Sequence, residues 1–172
     1  MDQRTVLRLA GVAAIAGAVI DVLGPAIYPR LAEPWPHLIY VTIDLLLLQA
    51  MLGVWSASRR TASVLGLAGF VLAVFGVMLV RTSSAKIFGE ASYAIAASIW
   101  SVGMVIWSAD LFRAKGLFRK AGGLWVLALL LGLAGAATKI ETLASHLPKL
   151  AFSGGFVAAG FDLFKASRGE HA

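Results

Sequence analysis

Leu9-Ala10-Gly11-Val12-Ala13-Ala14-Ile15-Ala16-Gly17-Ala18-Val19-Ile20-Asp21-Val22-Leu23 is an apolar run broken by a single carboxylate. It follows Arg4 and Arg8 and ends near Gly24-Pro25. A helix over 6–27 would rise about 33 Å at about 1.5 Å per residue, enough to cross a hydrocarbon core about 30 Å thick. A secretory signal also opens with basic residues, but its apolar region is shorter and ends in a small-residue cleavage site. This run has no such site, so it reads as a retained membrane helix. That reading decides the fold, because lipid offers no partner to backbone N–H and C=O groups and only helices or closed barrels span it.

Five more apolar segments follow, at about 37–56, 62–81, 89–111, 121–139 and 145–164. The expectation is an all-α, polytopic integral membrane protein with six transmembrane helices in one domain over residues 1–172. Hydrophobic residues make up 59% of the chain and charged ones 14%, against roughly 45–50% and about 25% in soluble domains. The spans consume nearly all of the 172 residues, so any chemistry must lie in the bundle or its short loops. Cysteine is absent, which excludes disulfides, thiolate catalysis, Cys-ligated zinc and iron–sulfur clusters.

Lysine and arginine set the orientation. Arg4, Arg8, Arg59, Arg60, Arg113, Lys115, Arg119, Lys120, Lys165 and Arg168, ten of the fifteen, fall at the termini and even-numbered connections. Arg30, Arg81, Lys86, Lys139 and Lys149 fall on the opposite side. Basic residues resist translocation, so both termini are expected in the cytoplasm of a bacterial cell, with the chain in its inner membrane. The net charge of +6 is then a topology signal and not a nucleic-acid footprint, since no separate basic domain exists to hold one.

The spans repeat in pairs. Trp55-Ser56-Ala57-Ser58-Arg59, Trp107-Ser108-Ala109-Asp110-Leu111-Phe112-Arg113 and Asp162-Leu163-Phe164-Lys165-Ala166 share one theme, with Trp55 to Trp107 and Asp110 to Asp162 each 52 positions apart. The triplets Leu9-Ala10-Gly11, Leu67-Ala68-Gly69 and Lys120-Ala121-Gly122 open the odd helices. A period near 50 residues is a mark of repeat architecture. It predicts three parallel helical hairpins, at about 6–60, 62–116 and 118–170, with extra residues of the first between Ile27 and His37. Small residues at four-residue spacing (Ala10, Ala14 and Ala18; Ala128, Gly132 and Ala136; Ala151 and Gly155) predict the closest packing among the first, fifth and sixth helices.

Ionisable residues inside apolar spans cost about 2.5–3.5 kcal/mol each at the bilayer centre, so they are the first candidates for function. Asp21 and Asp44 both fall in the outer half. The outer loops add His37, Arg81, Glu90, Lys139, Glu141 and His146, and mid-helix Trp100 stands beside Ser98 and Ser101. The expected arrangement is one outer vestibule floored by Asp21 and Asp44. In it, either carboxylate would act as general acid or base, Arg81 and Lys139 would hold an anionic headgroup, and Trp100 would line a cavity.

Three functions fit these residues. The first is binding or processing of a membrane lipid or lipophilic small molecule. The second is a non-catalytic accessory or scaffold subunit, in a homo-oligomer or larger membrane complex, with Asp21 bonded to Arg81 or Lys139 and Asp44 to a Ser, Thr or Tyr. The third is a small proton-linked transporter. No metal and no cofactor is expected: the histidines lack one-face ligand spacing, and no phosphate loop or nucleophile elbow is present. Asp110 and Asp162 read as interfacial ion pairs with Arg113 and Lys165, three residues on. Trp35, Trp55, Trp107 and Trp125 read as interfacial anchors.

Overall fold

The computed structural model describes residues 2–169, and every side chain among them except those of Ser84 and Leu143. It contains six long helices: α1 (Gln3–Ile27), α2 (Trp35–Ser58), α3 (Val64–Thr82), α4 (Ser92–Arg113), α5 (Arg119–Thr138) and α6 (Leu147–Ser167). Short 3₁₀ or π turns flank α1, α3, α4 and α6. The described residues contain no strand. Five helices, α1 to α5, are long and apolar enough to cross a membrane. α6 has comparable length but carries Lys149, Asp162 and Lys165. The chain is thus all-α and of membrane type.

Helix boundaries fall close to those expected from the apolar runs. Gly24-Pro25 does not break the first helix, and α1 continues through it to Ile27. Pro25 lacks the N–H that would reach the Asp21 carbonyl, yet the Tyr28 N–H still closes onto the Gly24 carbonyl. The Tyr28 ring lies directly over Gly24, where any β-carbon would collide with it.

Packing follows glycine. α3 and α4 make the most extensive contact in the bundle, followed by α1 with α6 and then by α1 with α2 and α5 with α6. α2 and α3 touch only lightly. The tightest seam is therefore not among the first, fifth and sixth helices, as the small-residue spacing suggested. At Gly69 and Gly103 an added β-carbon would strike the backbone of Trp107 and Ala73, and at Gly76 it would lie 2.5 Å from the Trp100 backbone. These three glycines bring α3 and α4 into backbone contact. The α1–α6 seam is close but looser, with Gly11 and Gly160 facing each other.

The core is an aromatic ladder crossing five helices. Trp55 stacks on Phe70 at 4.9 Å between ring centroids, Phe70 meets Trp107 at 5.2 Å, and Trp107 meets Trp125 at 5.9 Å. Trp125 continues to Phe156, Phe152 and Trp100 at 5.3, 5.3 and 4.8 Å. Trp107 and Trp125 are fully enclosed, at 0% and 1% exposure, so they are core residues and not interfacial anchors. Glycines make room for them: a β-carbon at Gly155 would collide with the Trp125 indole nitrogen, and Gly69 lies against Trp107. Trp35 is exposed, as an anchor would be.

Candidate functional site

Asp21 stands near the end of α1, opposite the start of α6. There Lys149 and Ser153, one helical turn apart, present their side chains on one face. Lys149 Nζ lies 3.1 Å from Asp21 Oδ1, and the Ser153 hydroxyl donates to Oδ2 at 3.0 Å. Asp44, two turns into α2, is met from the end of α3. Arg81 Nε donates to Asp44 Oδ2 at 2.7 Å, and Nη2 lies 2.5 Å from the same oxygen. Side-chain exposure is only 22% at Asp21 and 16% at Asp44. Each carboxylate is therefore half-enclosed and charge-compensated by a neighbouring helix.

The two pairs form one neighbourhood. Asp21 and Asp44 are close enough to interact electrostatically, and Tyr28 lies within range of both. The rings of Tyr28 and Tyr40 pack at 4.5 Å, and the Arg81 guanidinium lies 5.9 Å from the Tyr40 ring centre. The Tyr28 hydroxyl is enclosed with no hydrogen-bond partner among the described residues. Beside this cluster a groove of about 90 Å³ runs along the loose α2–α3 seam. It is lined by Val41, Leu45, Leu48, Val77 and Met78 together with Asp44 and Arg81.

The remaining candidates do not gather around the carboxylates. His37 is exposed and bonds to Glu33 one turn earlier, at 2.8 Å. Glu90 is exposed and pairs with Lys86 at 2.6 Å. Lys139 caps α5 in a left-handed conformation and is exposed, as are Glu141 and His146. His146 meets the hydroxyl of its neighbour Ser145 at 2.9 Å. Local partners one turn away satisfy several of these groups more cheaply than a vestibule would, because no loop need be ordered across the bundle. Trp100 faces the interior, edge-on to Phe152, and its indole N–H has no partner among the described residues.

The expected pairing is corrected in detail. Asp21 takes Lys149, neither Arg81 nor Lys139, and Asp44 takes Arg81, not a hydroxyl. Ser153 and Tyr40 are not among the residues expected from sequence, while Tyr28 and Lys149 were expected only as polar residues of the outer loops. The four-residue spacing of Lys149 and Ser153, which puts both on one face of α6, was the available signal. Among the described residues no group of three His, Asp or Glu side chains is placed to hold a metal ion.

Asp110 and Asp162, at the other end of the bundle, bind helix N-termini. Asp110 accepts the Ser63 hydroxyl at 2.5 Å and the Ser63 backbone N–H at 3.2 Å, at the start of α3. Asp162 accepts the Phe118 N–H at 3.0 Å, at the start of α5, and also meets Lys165 at 3.2 Å. The expected Lys165 pair exists. For Asp110 the neighbouring helix start is the partner seen, not Arg113, because free N–H groups and a positive dipole end attract a carboxylate there.

A cavity of about 510 Å³ opens at this same end. Asp2 and Gly169 both border it, so the two ends of the described chain lie together. Arg4, Arg59, Arg60, Ser56, Ser58 and Thr61 are among its polar lining residues. No protein-family model, curated protein or solved structure matches the chain.

Proposed function

We propose that this chain is a non-catalytic accessory or scaffold subunit of a bacterial cytoplasmic membrane. It spans six times as three hairpins, with both termini in the cytoplasm. The observation that carries the functional reading is that each intramembrane carboxylate is closed by a cation from an adjacent helix. Asp44 with Arg81 joins α2 to α3, and Asp21 with Lys149 and Ser153 joins α1 to α6. Such pairs hold helices in register in lipid, where there is little hydrophobic drive between them. The topology draws support from the basic-residue count. It also draws on α6, whose Lys149 and Asp162 are paired with other elements of the bundle.

Native mass spectrometry of protein extracted with its own lipids tests the functional reading. The expected result is a fixed stoichiometry with a partner subunit or a second copy, unchanged in the double variant Asp44→Asn, Arg81→Gln. A strictly monomeric protein would overturn it. The topology is tested separately in the cysteine-free background. An impermeant maleimide applied to intact cells should label Ala32→Cys and Glu141→Cys but not Thr61→Cys or Arg168→Cys.

One observation favours a second reading, binding of a lipophilic small molecule or lipid. The α2–α3 groove is lined by apolar side chains with the Asp44–Arg81 pair among them, a combination suited to an apolar molecule with one polar group. A bound lipophilic species retained by the wild type and lost in Asp44→Asn would support this reading over the first.

A further inference from the structure

We propose that the cavity at the basic end is a binding site for a phosphate-bearing anion, held chiefly by Arg4, Arg59 and Arg60. The site lies at the opposite end of the bundle from the Asp21–Asp44 cluster and is independent of its role. Three observations carry the inference.

The first is a concentration of positive charge on one concave surface. The three arginines line one concave space of about 510 Å³, within the roughly 300–1,000 Å³ typical of small-molecule sites. None of them has an ion-pair partner among the described residues. The described lining includes a single carboxylate, Asp2, against these three guanidiniums. A guanidinium offers planar paired donors that match phosphate oxygens.

The second is the backbone. Gln3 and Arg4, in the first turn of α1, border the cavity, and the Asp2 side chain makes no capping bond to that turn. The N–H groups at a helix start point outward and favour an anion.

The third is what the other helix starts at this end possess. Asp110 and Asp162 each deliver a carboxylate to the start of α3 and α5. The two are 52 positions apart, and 52 positions before Asp110 stands Ser58, which carries no charge. Ser58 lines the cavity, and its hydroxyl donates back to the Val54 carbonyl at 2.8 Å. The cavity therefore occupies the place where a third internal carboxylate would sit, and an external anion would complete the pattern.

A phosphate group here has two sources, the headgroup of an anionic phospholipid in the adjoining leaflet or a soluble phosphate compound. The experiment follows thermal unfolding of the full chain in two arms. One compares phosphatidylglycerol with phosphatidylcholine nanodiscs, and the other titrates inorganic pyrophosphate into protein held in phosphatidylcholine. Stabilisation in the first arm alone assigns the lipid headgroup, and stabilisation in the second assigns the soluble anion. Arg59→Gln with Arg60→Gln should weaken the effective arm at least tenfold. Arg30→Gln with Lys139→Gln, which removes the same charge from the opposite end, should leave it intact.

Ser58→Asp provides a variant that strengthens the fold if the inference holds. It should raise the unfolding temperature in the absence of anion and abolish the response to it. No stabilisation in either arm, or equal losses in the two double variants, would overturn the proposal. So would an undiminished response in Ser58→Asp.

Discussion

Asp110, in the last turn of α4, receives both the hydroxyl and the backbone N–H of Ser63 at the start of α3. Ser63 in turn accepts the Gly66 N–H at 3.2 Å. One carboxylate thus fixes the angle at which the chain re-enters the bundle after the Arg59–Thr61 loop. Hydrogen bonds to a charged group contribute about 1.5–3 kcal/mol, and an N-cap about 1 kcal/mol. Asp110→Ala is therefore expected to lower stability by about 2–3 kcal/mol. A double-mutant cycle with Ser63→Ala, followed by unfolding in detergent, should give coupling above about 1 kcal/mol. Additive losses would mean that the two side chains act separately.

The Asp44–Arg81 pair carries a different signature. Removing one member leaves the other charge half-buried in an apolar setting, whereas removing both leaves none. Arg81→Leu should lose about 1–3 kcal/mol, between the roughly 3–5 kcal/mol of a fully buried pair and the roughly 0–1 kcal/mol of an exposed one, because Arg81 is 35% exposed. The double variant Asp44→Leu, Arg81→Leu should recover at least half of that loss. Unfolding midpoints of the single and double variants decide it, and a double variant worse than either single would contradict the compensation described here.

The helical glycines divide by what faces them. Gly76→Ala would set a methyl group 2.5 Å from the Trp100 backbone, which cannot yield as a side-chain tip can. Overpacking of this kind costs about 1–3 kcal/mol. In α5, Gly132→Ala would meet only Pro148, at 3.9 Å, an ordinary contact. It should be neutral or slightly stabilising, because alanine reduces the freedom of the unfolded chain by about 0.4–1 kcal/mol. Similar losses at the two positions would mean that the α3–α4 seam is looser than described.

Much of this was legible in the apolar runs. Helix number and approximate boundaries follow from lipid-scale hydrophobicity, which needs no partner to be read. Asp21 and Asp44 were also legible, since a carboxylate inside such a run stands out at once. Who pairs with whom was not: Arg81 stood out, but for Asp21 or a headgroup and not for Asp44, and Lys149 sits at a helix start where a cation is unremarkable in sequence. The burial of Trp107 and Trp125 was equally hidden. A tryptophan near a helix end looks like an anchor until Gly69 and Gly155, on other helices, are known to face it. The cavity lined by Arg4, Arg59 and Arg60 was hidden for the same reason: the count of basic residues gave a side of the membrane, not a concave surface.

Gly155 and Trp125 give the most direct optical check on the core. The Trp125 ring is 1% exposed and its indole nitrogen lies against Gly155, with no hydrogen-bond partner among the described residues. A methyl group at position 155 must displace the indole, and Trp125 is in ladder contact with Trp107 on one side and Phe156 on the other. Gly155→Ala should therefore lower stability by about 1–3 kcal/mol and shift tryptophan emission to the red as the ring moves outward. Gly154→Ala, whose methyl would meet only Leu124 at 3.7 Å, should change neither. Trp125→Phe should remove the Gly155→Ala spectral shift, because the displaced ring is then no longer an indole. A shift that survives Trp125→Phe would place the disturbance elsewhere in the ladder.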